Sequence, residues 1–575
     1  MKKRWLLRVF LVYAALAASA ASAADVYYLG DTGPERHKEP TTDYSASRRL
    51  RDLTGFSSYG ADKKERSGWI TGNFSQGWDY QNIGGNASKS FLTQGAHYLS
   101  ELNLTMFERL WKDYSFDGQV FLRKTDDPRA ESGSRVHFKQ LSVKVANTAN
   151  MFEFGNFYAE FSQFVLGASL EGFHLDSSPS AGRRYALVVS RAYEANPAAN
   201  LYQRNVYGLK ADHSFFAGSS LFSNFRLGLQ GALTRDDAAS LAYAAAPKLD
   251  NSIIGLDGDI ALKKNLSLAF EAARSVYTDD LRNPAIDHEE AWAFRARPAW
   301  TAGKFQTRYL FNYAAPKFHT ETGSAAPDKQ QHQLDVDWRI GPSAALSATE
   351  NLYWDDLPGS ARTKRTTYDE KRLRGRFRPF SSRAGFAVNP YLAYVRRDSN
   401  DPGNTLGADT FTTGLEADNS FSDGTSAGLR YEYRAFSDRF DRSRSERYHR
   451  VALNAARDTR LFKRRLYAAL DLTADFRHTR TSDNPERSLA ASFNGQYDVH
   501  RLCTLKFGHN VQDTNNGRAN GDFGTRRSFG EADILLQKLR ATHLLLRGER
   551  NVNSYEDAAQ NYRETRITAK FVSNF

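Results

Sequence analysis

Four arginines occupy alternate positions in one short stretch of the sequence. They are, in order, Arg372, Arg374, Arg376 and Arg378. Successive side chains of a β-strand point to opposite faces, so all four arginines share one face of a strand and the residues between them share the other. A row of guanidinium groups can bind anions or dock an acidic partner, provided that water or counter-charges solvate it. The alternative is a ladder of ion pairs with acidic residues of neighbouring strands.

Other segments add charges of both signs. Arg430 and Arg434 also share a face, and with the four arginines above they form the predicted basic stripe. Further arginines and acidic residues follow the same alternation, at Arg295, Arg297, Arg308, Arg339, Asp335, Asp337, Glu432, Asp471 and Asp475. Anion binding and ion pairing therefore both remain open as roles of the stripe.

Patterns typical of catalysis are missing from the sequence. There is no Gly-x-Ser-x-Gly elbow, no His-Glu-x-x-His and no glycine-rich phosphate loop. The single cysteine, Cys503, excludes a disulfide framework and metal sites built from several thiolates. Asp335 and Asp337 could act as paired carboxylates and residues 287–290 could bind a cation, but solvated charge is the simpler interpretation of both. We predict no enzyme, and no cofactor or metal bound by this chain.

The first residues have the pattern of a secretory signal. Basic residues precede an apolar stretch, and Ala21 and Ala23 then satisfy the small-x-small rule, which predicts a signal peptide over residues 1–23. The chain has 78 Lys and Arg against 66 Asp and Glu, and removal of the four basic residues of the signal leaves a net charge of +8. This charge is modest and interspersed, so no nucleic acid is predicted as a partner.

Beyond the signal, apolar and polar residues alternate with period two up to the last residue. In residues 465–477, for example, every second residue from Leu466 to Phe476 is apolar. Helical spacing would mix charged and apolar residues on every face, so the pattern predicts strands. Many of the segments exceed the ~5–6 residues usual in soluble proteins and suit tilted membrane strands of ~9–11 residues.

These segments predict an all-β fold. Between 22 and 26 strands are expected, and the spans 150–157 and 526–536 are the weakest, with another strand predicted over 163–175. A mean hydropathy of -0.60 excludes a helical membrane protein, but it is compatible with a barrel whose lumen is polar. We predict one transmembrane antiparallel up-and-down β-barrel over residues 67–575.

Links between the predicted strands alternate in length in the second half of the chain. Short turns fall at 263–264, 301–303, 341–343, 420–424 and 458–460, and polar loops lie between them at 235–251, 278–288, 315–328, 356–369 and 397–408. Neighbouring antiparallel strands place alternate links on opposite sides of the sheet. Short periplasmic turns and longer outer loops are typical of barrels in the bacterial outer membrane, so we predict that location, with membrane lipid around the barrel.

The last strand supports this location. Ile567, Ala569, Phe571 and the terminal Phe575 share one face. This segment resembles the terminal assembly signal of outer-membrane barrel proteins, although Ser573 replaces the usual bulky residue. The resemblance implies that the barrel assembly machinery recognises the chain.

A barrel of ~22 strands encloses a lumen that is normally plugged. The segment 24–66 is polar and charged but too short for a plug domain. We predict that it lies in the periplasm or in the lumen. The predicted outer loops look short for sealing such a lumen, so a filler is expected.

A glycine-containing hairpin early in the predicted barrel has a distinctive sequence. Phe154-Gly155-Asn156-Phe157-Tyr158 is followed by Glu171-Gly172-Phe173. This stretch, with the leucines between its two parts, resembles the early barrel hairpin of fimbrial ushers over about two dozen residues. Ushers also carry plug and terminal domains, for which this chain leaves no room.

Three functions fit the predicted barrel. The first is a wide channel or sheath that houses a periplasmic multihaem cytochrome for electron transfer across the outer membrane, because a large barrel without a plug resembles the barrels of porin–cytochrome conduits. The haem would belong to the partner, and this chain lacks the Cys-x-x-Cys of the best-known conduit barrels. The second is a porin-like diffusion or export channel for anionic solutes or a polymer. The third is a barrel enzyme with an active site at its loops.

Overall fold

The computed structural model describes residues 68–575, apart from short segments of the links between strands. These segments are 111–112, 129–130, 132–134, 197–198, 216–220, 242–246, 263–264, 283–287, 381–384, 401–406, 481–484, 516–520 and 538–540. The predicted signal peptide, with Ala21 and Ala23, and the predicted segment 24–66 lie outside the described residues.

Twenty-six strands make up the fold. The first thirteen are β1 Gly68–Gly85, β2 Gly95–Arg109, β3 Ser115–Thr125, β4 His137–Ala146, β5 Asn150–Ser162, β6 Leu166–Ser180, β7 Arg183–Tyr193, β8 Arg204–Ser214, β9 Phe222–Asp236, β10 Asp250–Leu262, β11 Leu266–Thr278, β12 Glu289–Ala302 and β13 Phe305–Ala314. The others are β14 Lys329–Gly341, β15 Ala344–Trp354, β16 Thr366–Phe377, β17 Ala387–Ser399, β18 Gly407–Ser420, β19 Thr425–Asp438, β20 Glu446–Leu461, β21 Arg464–Thr479, β22 Glu486–His500, β23 Cys503–Asn515, β24 Phe523–Gln537, β25 Thr542–Tyr555 and β26 Tyr562–Asn574.

The strands form one closed antiparallel barrel. Each strand pairs with its neighbour in the chain, and β1 pairs with β26 from Asn73 opposite Asn574 to Gly85 opposite Tyr562. The prediction of an all-β, up-and-down barrel is confirmed, with the strand number at its upper limit. No helix in the described part of the chain is long and apolar enough to cross a membrane.

Alternation gives the barrel two different faces. On β16, Leu373 and Phe377 are 43% and 36% exposed on one face, and arginines occupy the other. Exposed apolar side chains continue around the barrel at Leu229, Ile254, Trp292, Leu334, Leu392, Leu429, Leu453, Leu489, Leu505, Leu546 and Ile567. The sheet satisfies the backbone groups internally, so this apolar outer face can lie against hydrocarbon.

The links on the two sides of the barrel differ in length. Those after β12, β14 and β20 are two residues long, whereas 315–328 and 355–365 are long loops on the opposite side. The link 378–386 is an exception, since it is long but lies on the side of the short turns. The short side is therefore periplasmic and the long side external.

One pair of strands differs from the sequence prediction. The predicted spans 150–157 and 163–175 are β5 Asn150–Ser162 and β6 Leu166–Ser180, so the hairpin turn lies at residues 163–165. The prediction ended β5 too early because the apolar alternation changes phase within the strand. The other weak span, 526–536, lies within β24.

Candidate functional site in the barrel lumen

The tip of the β5–β6 hairpin leaves the barrel wall. β4 pairs with β5 only as far as Ser142 opposite Gly155, and β7 pairs with β6 only as far as Arg191 opposite Glu171. Residues 156–170, called here the inner hairpin, pair only with each other. Their contacts are with side chains of β8, β10 and β11 on the face opposite the lipid-facing residues. The inner hairpin therefore lies inside the lumen.

Two glycines permit this departure from the wall. Gly155 has φ +96°, and a Cβ there would lie 2.0 Å from the carbonyl oxygen of Leu141. Gly172, its partner across the hairpin, leaves only 2.4 Å between such a Cβ and the carbonyl oxygen of Val189. Larger residues would collide with the neighbouring backbone at both positions, so glycine is required at the hinge.

The apolar alternation changes phase at the hinge. Phe152 and Phe154, before the hinge, are exposed on the lipid-facing side. Phe157 and Phe161, after the hinge, are buried on the other face of the strand. On β6, Leu166 and Leu170 are buried before Gly172, and Phe173 and Leu175 follow in the opposite phase. A one-residue phase change moves the apolar set to the other face of a strand. The hairpin thus presents its apolar face to the wall from inside the lumen.

Small residues on the wall make room for the inner hairpin. A Cβ on Gly208 of β8 would lie 2.9 Å from Cε2 of Phe161, and one on Gly255 of β10 would lie 2.7 Å from Cγ2 of Val165. The buried cluster also contains wall alanines, at Ala186, Ala232, Ala273, Ala291, Ala293 and Ala314. These small residues leave space on the wall for a packed layer.

Two buried charged side chains hold the hairpin tip. Lys210 of β8, 3% exposed, donates from Nζ to the carbonyl oxygen of Phe161 at 2.5 Å. Glu271 of β11, 7% exposed, accepts from the backbone N–H of Phe164 at 2.8 Å. Tip backbone groups that the turn leaves unpaired are satisfied in this way.

The charge of Lys210 is balanced within the wall. Its Nζ lies 3.3 Å from Asp257 and 3.8 Å from Asp212. Arg226 bridges the same two carboxylates at 2.7 and 2.6 Å. Removal of one partner from such a buried group would leave an uncompensated charge, which is strongly destabilising. The network therefore holds these side chains of β8, β9 and β10 in place beneath the hairpin.

An external loop completes the contact. In the β13–β14 loop, Thr322 accepts from the N–H of Gly167 at 2.7 Å and donates from Oγ1 to the carbonyl oxygen of Val165 at 3.0 Å. Phe318 is fully buried against Phe164, with ring centroids 5.7 Å apart in an edge-on arrangement. The chain therefore fills part of its own lumen.

The opposite side of the lumen is lined by charged residues, including the predicted stripe. Arg372 pairs with Glu370. Arg374 and Arg376 are exposed and have no side-chain hydrogen bond or ion pair with any described residue. Arg378 follows the end of β16. Ala345 of β15 lies opposite both Arg376 of β16 and Arg339 of β14, so these two arginines lie at the same level of the barrel, two strands apart. Arg339 also has no such partner in the described part of the chain. We call Arg339, Arg374 and Arg376 the basic patch.

The other two arginines of the predicted stripe are paired. Arg430 lies 2.9 Å from Glu432 on its own strand, and Arg434 lies 3.2 Å from Glu446 of β20. These residues form part of an ion-pair ladder across neighbouring strands. In the stripe, Arg372, Arg430 and Arg434 therefore have ion pairs, whereas Arg374 and Arg376 have none with the described residues.

The acidic residues considered for catalysis or cation binding, Asp335, Asp337 and Glu289, have partners. Asp335 accepts from Thr349 at 2.7 Å, and Asp337 pairs with Arg308 at 2.9 Å. Glu289, within the segment considered for a cation, pairs with His319 at 3.1 Å. Each carboxylate belongs to an ordinary polar contact.

The residues of the predicted assembly signal lie on the closing strand. Ile567 and Phe575 are 56% and 47% exposed on the lipid-facing side, in phase with Ala569 and Phe571. Phe575 exchanges backbone hydrogen bonds with Gly72 of β1, at 3.0 and 2.7 Å. The last residue therefore takes part in barrel closure.

Sequence reasoning missed Lys210, Glu271 and Phe318 as residues of the lumen. A signal was present in β7, where Ala186, Leu187, Val188 and Val189 follow one another without a polar residue. A wall strand that is apolar on both faces needs cover on its lumen side. The contacts of the tip, however, join residues 107 and 157 positions apart, which no local pattern shows.

A closed barrel with an apolar outer band and a charged lumen defines the class of protein. The chain is a large β-barrel of the bacterial outer membrane. No model of a protein family matches the sequence, and no curated protein matches it.

Several solved barrels are similar to this chain at low sequence identity. The translocation pore of the P pilus usher PapC has 10% identity and a TM-score of 0.37, covering 88% of this chain and 99% of that one. The siderophore receptor PirA from Pseudomonas aeruginosa has 11% identity and a TM-score of 0.39, covering 88% and 80%. The copper transporter OprC has 10% identity and a TM-score of 0.42, covering 89% and 82%. The likeness at this level extends to the barrel fold alone.

Proposed function

We propose that the barrel is a diffusion channel for anionic solutes. The observation that carries this proposal is the basic patch, where Arg339, Arg374 and Arg376 face the lumen without an acidic partner among the described residues. An unpaired charge is stable only where water or mobile counter-ions solvate it. The patch therefore supports an aqueous path along β14–β16 that attracts anions.

The inner hairpin supports a narrowed channel rather than an empty pore. It packs on the inner faces of β8, β10 and β11, and the β13–β14 loop packs on its tip. A layer of sheet packed on sheet is about 10 Å thick. The filler expected from the sequence is thus supplied in part by the chain itself.

A sheath for a multihaem cytochrome, predicted first from the sequence, has less support than the channel. A partner inside the barrel would have to share the lumen with the inner hairpin and its loop. None of the contacts described above requires such a partner. The channel was the alternative in the sequence prediction, and it agrees better with this lumen.

Conductance in a planar bilayer tests the proposal. Purified protein in a salt gradient is expected to show a reversal potential that favours anions. The double variant Arg374→Gln/Arg376→Gln should lower the ratio of anion to cation permeability, because it removes two positive charges that have no ion pair with the described residues. A matched control, Arg442→Gln/Arg444→Gln, removes two charges from an external loop and should have a smaller effect. Three results would contradict the proposal: cation selectivity of the parent protein, no conductance at all, or stoichiometric haem protein after mild purification.

A further inference from the structure

The barrel wall is interrupted beside the inner hairpin. Residues 137–141 of β4 pair with β3, but with no other strand of the described chain. On the far side, Tyr193 of β7 pairs with Arg204 of β8 and not with β6. In a regular wall β4 and β7 are three inter-strand spacings of about 4.8 Å apart, roughly 14 Å. Two strands are missing from the wall along this stretch.

The interruption lies in the outer half of the barrel. β4 begins after the long link 126–136, which is on the external side, and the wall is complete again from Ser142 towards the periplasm. The gap therefore faces the outer leaflet of the membrane.

A side chain replaces part of the missing strand. The backbone N–H of Leu141 donates to Oδ1 of Asn156 at 2.9 Å, in the place where β5 would continue the ladder. Open strand edges are not stable against hydrocarbon, because their backbone groups find no partners there. The rest of the open edge lies at the external end of β4, where Lys139 and His137 lie 2.5 and 3.8 Å from Glu131, so polar groups surround its backbone and hydrocarbon in the gap meets only side chains.

The apolar outer surface continues into the gap. Phe154, 57% exposed, lies on the lipid-facing side just before the hinge, and Tyr158, 55% exposed, lies beyond the hinge on the same face of the hairpin. Phe138 at the edge of β4 is 73% exposed. A tyrosine suits a boundary at which one end of the ring is apolar and the other is wet. An apolar path thus turns from the lipid face towards the lumen.

From this geometry we infer that the gap is a lateral opening between the lumen and the outer leaflet, occupied by the acyl chain of a membrane lipid. The acyl chain lies along Phe154 and Tyr158, beside Phe138. Continuity with the lipid-facing band identifies the occupant as an acyl chain. The opening is independent of the anion preference proposed above, since it rests on strand pairing and exposed aromatic residues.

Photo-crosslinking of the full chain tests this inference. The photoreactive residue p-benzoylphenylalanine replaces Tyr158, and the protein is reconstituted in vesicles of phosphatidylethanolamine and phosphatidylglycerol. We expect a lipid adduct, detected by its mass after illumination. Tyr207, 44% exposed on the lipid-facing side of β8, is the positive control, and Tyr391, on the charged lumen wall, is the negative control.

The pattern of adducts decides the outcome. Lipid adducts at 158 and 207 but not at 391 support the opening. A lipid adduct at 207 alone would show that water fills the gap. Crosslinks from 158 only to the protein would show that the polypeptide fills it. Adducts at all three positions would overturn a localised opening. If the Tyr158 variant does not fold, Ser169 carries the probe, because it lies opposite Tyr158 in the hairpin.

Discussion

At the scale of single residues, the position of the hairpin tip depends on one buried acceptor. Replacement of Glu271 by alanine leaves the N–H of Phe164 without a partner in a buried site. Loss of a hydrogen bond to a charged group costs about 1.5–3 kcal/mol. We expect Glu271→Ala to lower the denaturant midpoint of unfolding in liposomes and to increase the current noise of open channels.

The matched control for this variant is Glu271→Gln. Its amide oxygen can still accept from Phe164, so its unfolding midpoint should lie closer to that of the parent protein. Equal midpoints for the parent, alanine and glutamine proteins would mean that the hydrogen bond from Phe164 to Glu271 does not stabilise the tip.

Single residues also mark the limit of sequence reasoning about the lumen. The alternation predicts Arg372, Arg374 and Arg376 on one face, because side-chain direction in a strand follows from position alone. It could not show that Arg372 pairs with Glu370 and that Arg374 and Arg376 have no partner in the described chain. Ion pairing depends on side-chain conformation and cross-strand register, and several alternatives are compatible with one sequence.

At the scale of elements, the inner hairpin occupies part of the lumen. Its residues 157–170 form no backbone pairs with β4 or β7, so their removal leaves the strand pairing of the wall intact. We predict that replacing residues 157–170 by a Gly-Gly turn increases the single-channel conductance, because a packed layer of the lumen is lost.

A deletion at another link provides the control for this prediction. Shortening the external link 556–561 by its single 3₁₀ turn, Ala558–Gln560, removes no contact with the inner hairpin. Its conductance should remain near that of the parent protein. A deletion of the hairpin that folds, judged by heat-modifiable migration, but conducts like the parent would exclude the hairpin as a constriction.

The hairpin also shows which elements a pattern can predict. Its two strands were expected, but the turn was misplaced because apolar residues exchange faces at Gly155 and again at Gly172. If the alternation of apolar and polar residues is taken to keep one phase along each strand, it breaks at these glycines. Read as two phases separated by a glycine, it indicates a strand that leaves the wall.

At the scale of the whole molecule, the barrel was predictable because every strand repeats the same two-faced pattern. Sidedness followed from the links, whose lengths reflect the two sides of the membrane. The position of the inner hairpin in the lumen was not predictable, since it depends on contacts such as that of Gln163 with Ser324, far apart in the chain. The alternation of apolar and polar residues along each strand thus predicts the barrel wall, whereas the position of the inner hairpin in the lumen depends on contacts between residues far apart in the sequence.

Closure of the barrel provides the last prediction. Phe575 both pairs with Gly72 through its backbone and covers that glycine with its ring, since a Cβ on Gly72 would lie 2.6 Å from Cζ of Phe575. Phe575→Ala keeps the backbone pairing and removes the ring, whereas deletion of Phe575 removes both. If the aromatic ring is part of an assembly signal, both variants should reduce the amount of heat-modifiable barrel in the outer membrane. Ser573→Ala, on the same face, should not. If only the deletion reduces assembly, backbone closure alone accounts for the effect, and the resemblance of the last strand to an assembly signal has no functional meaning here.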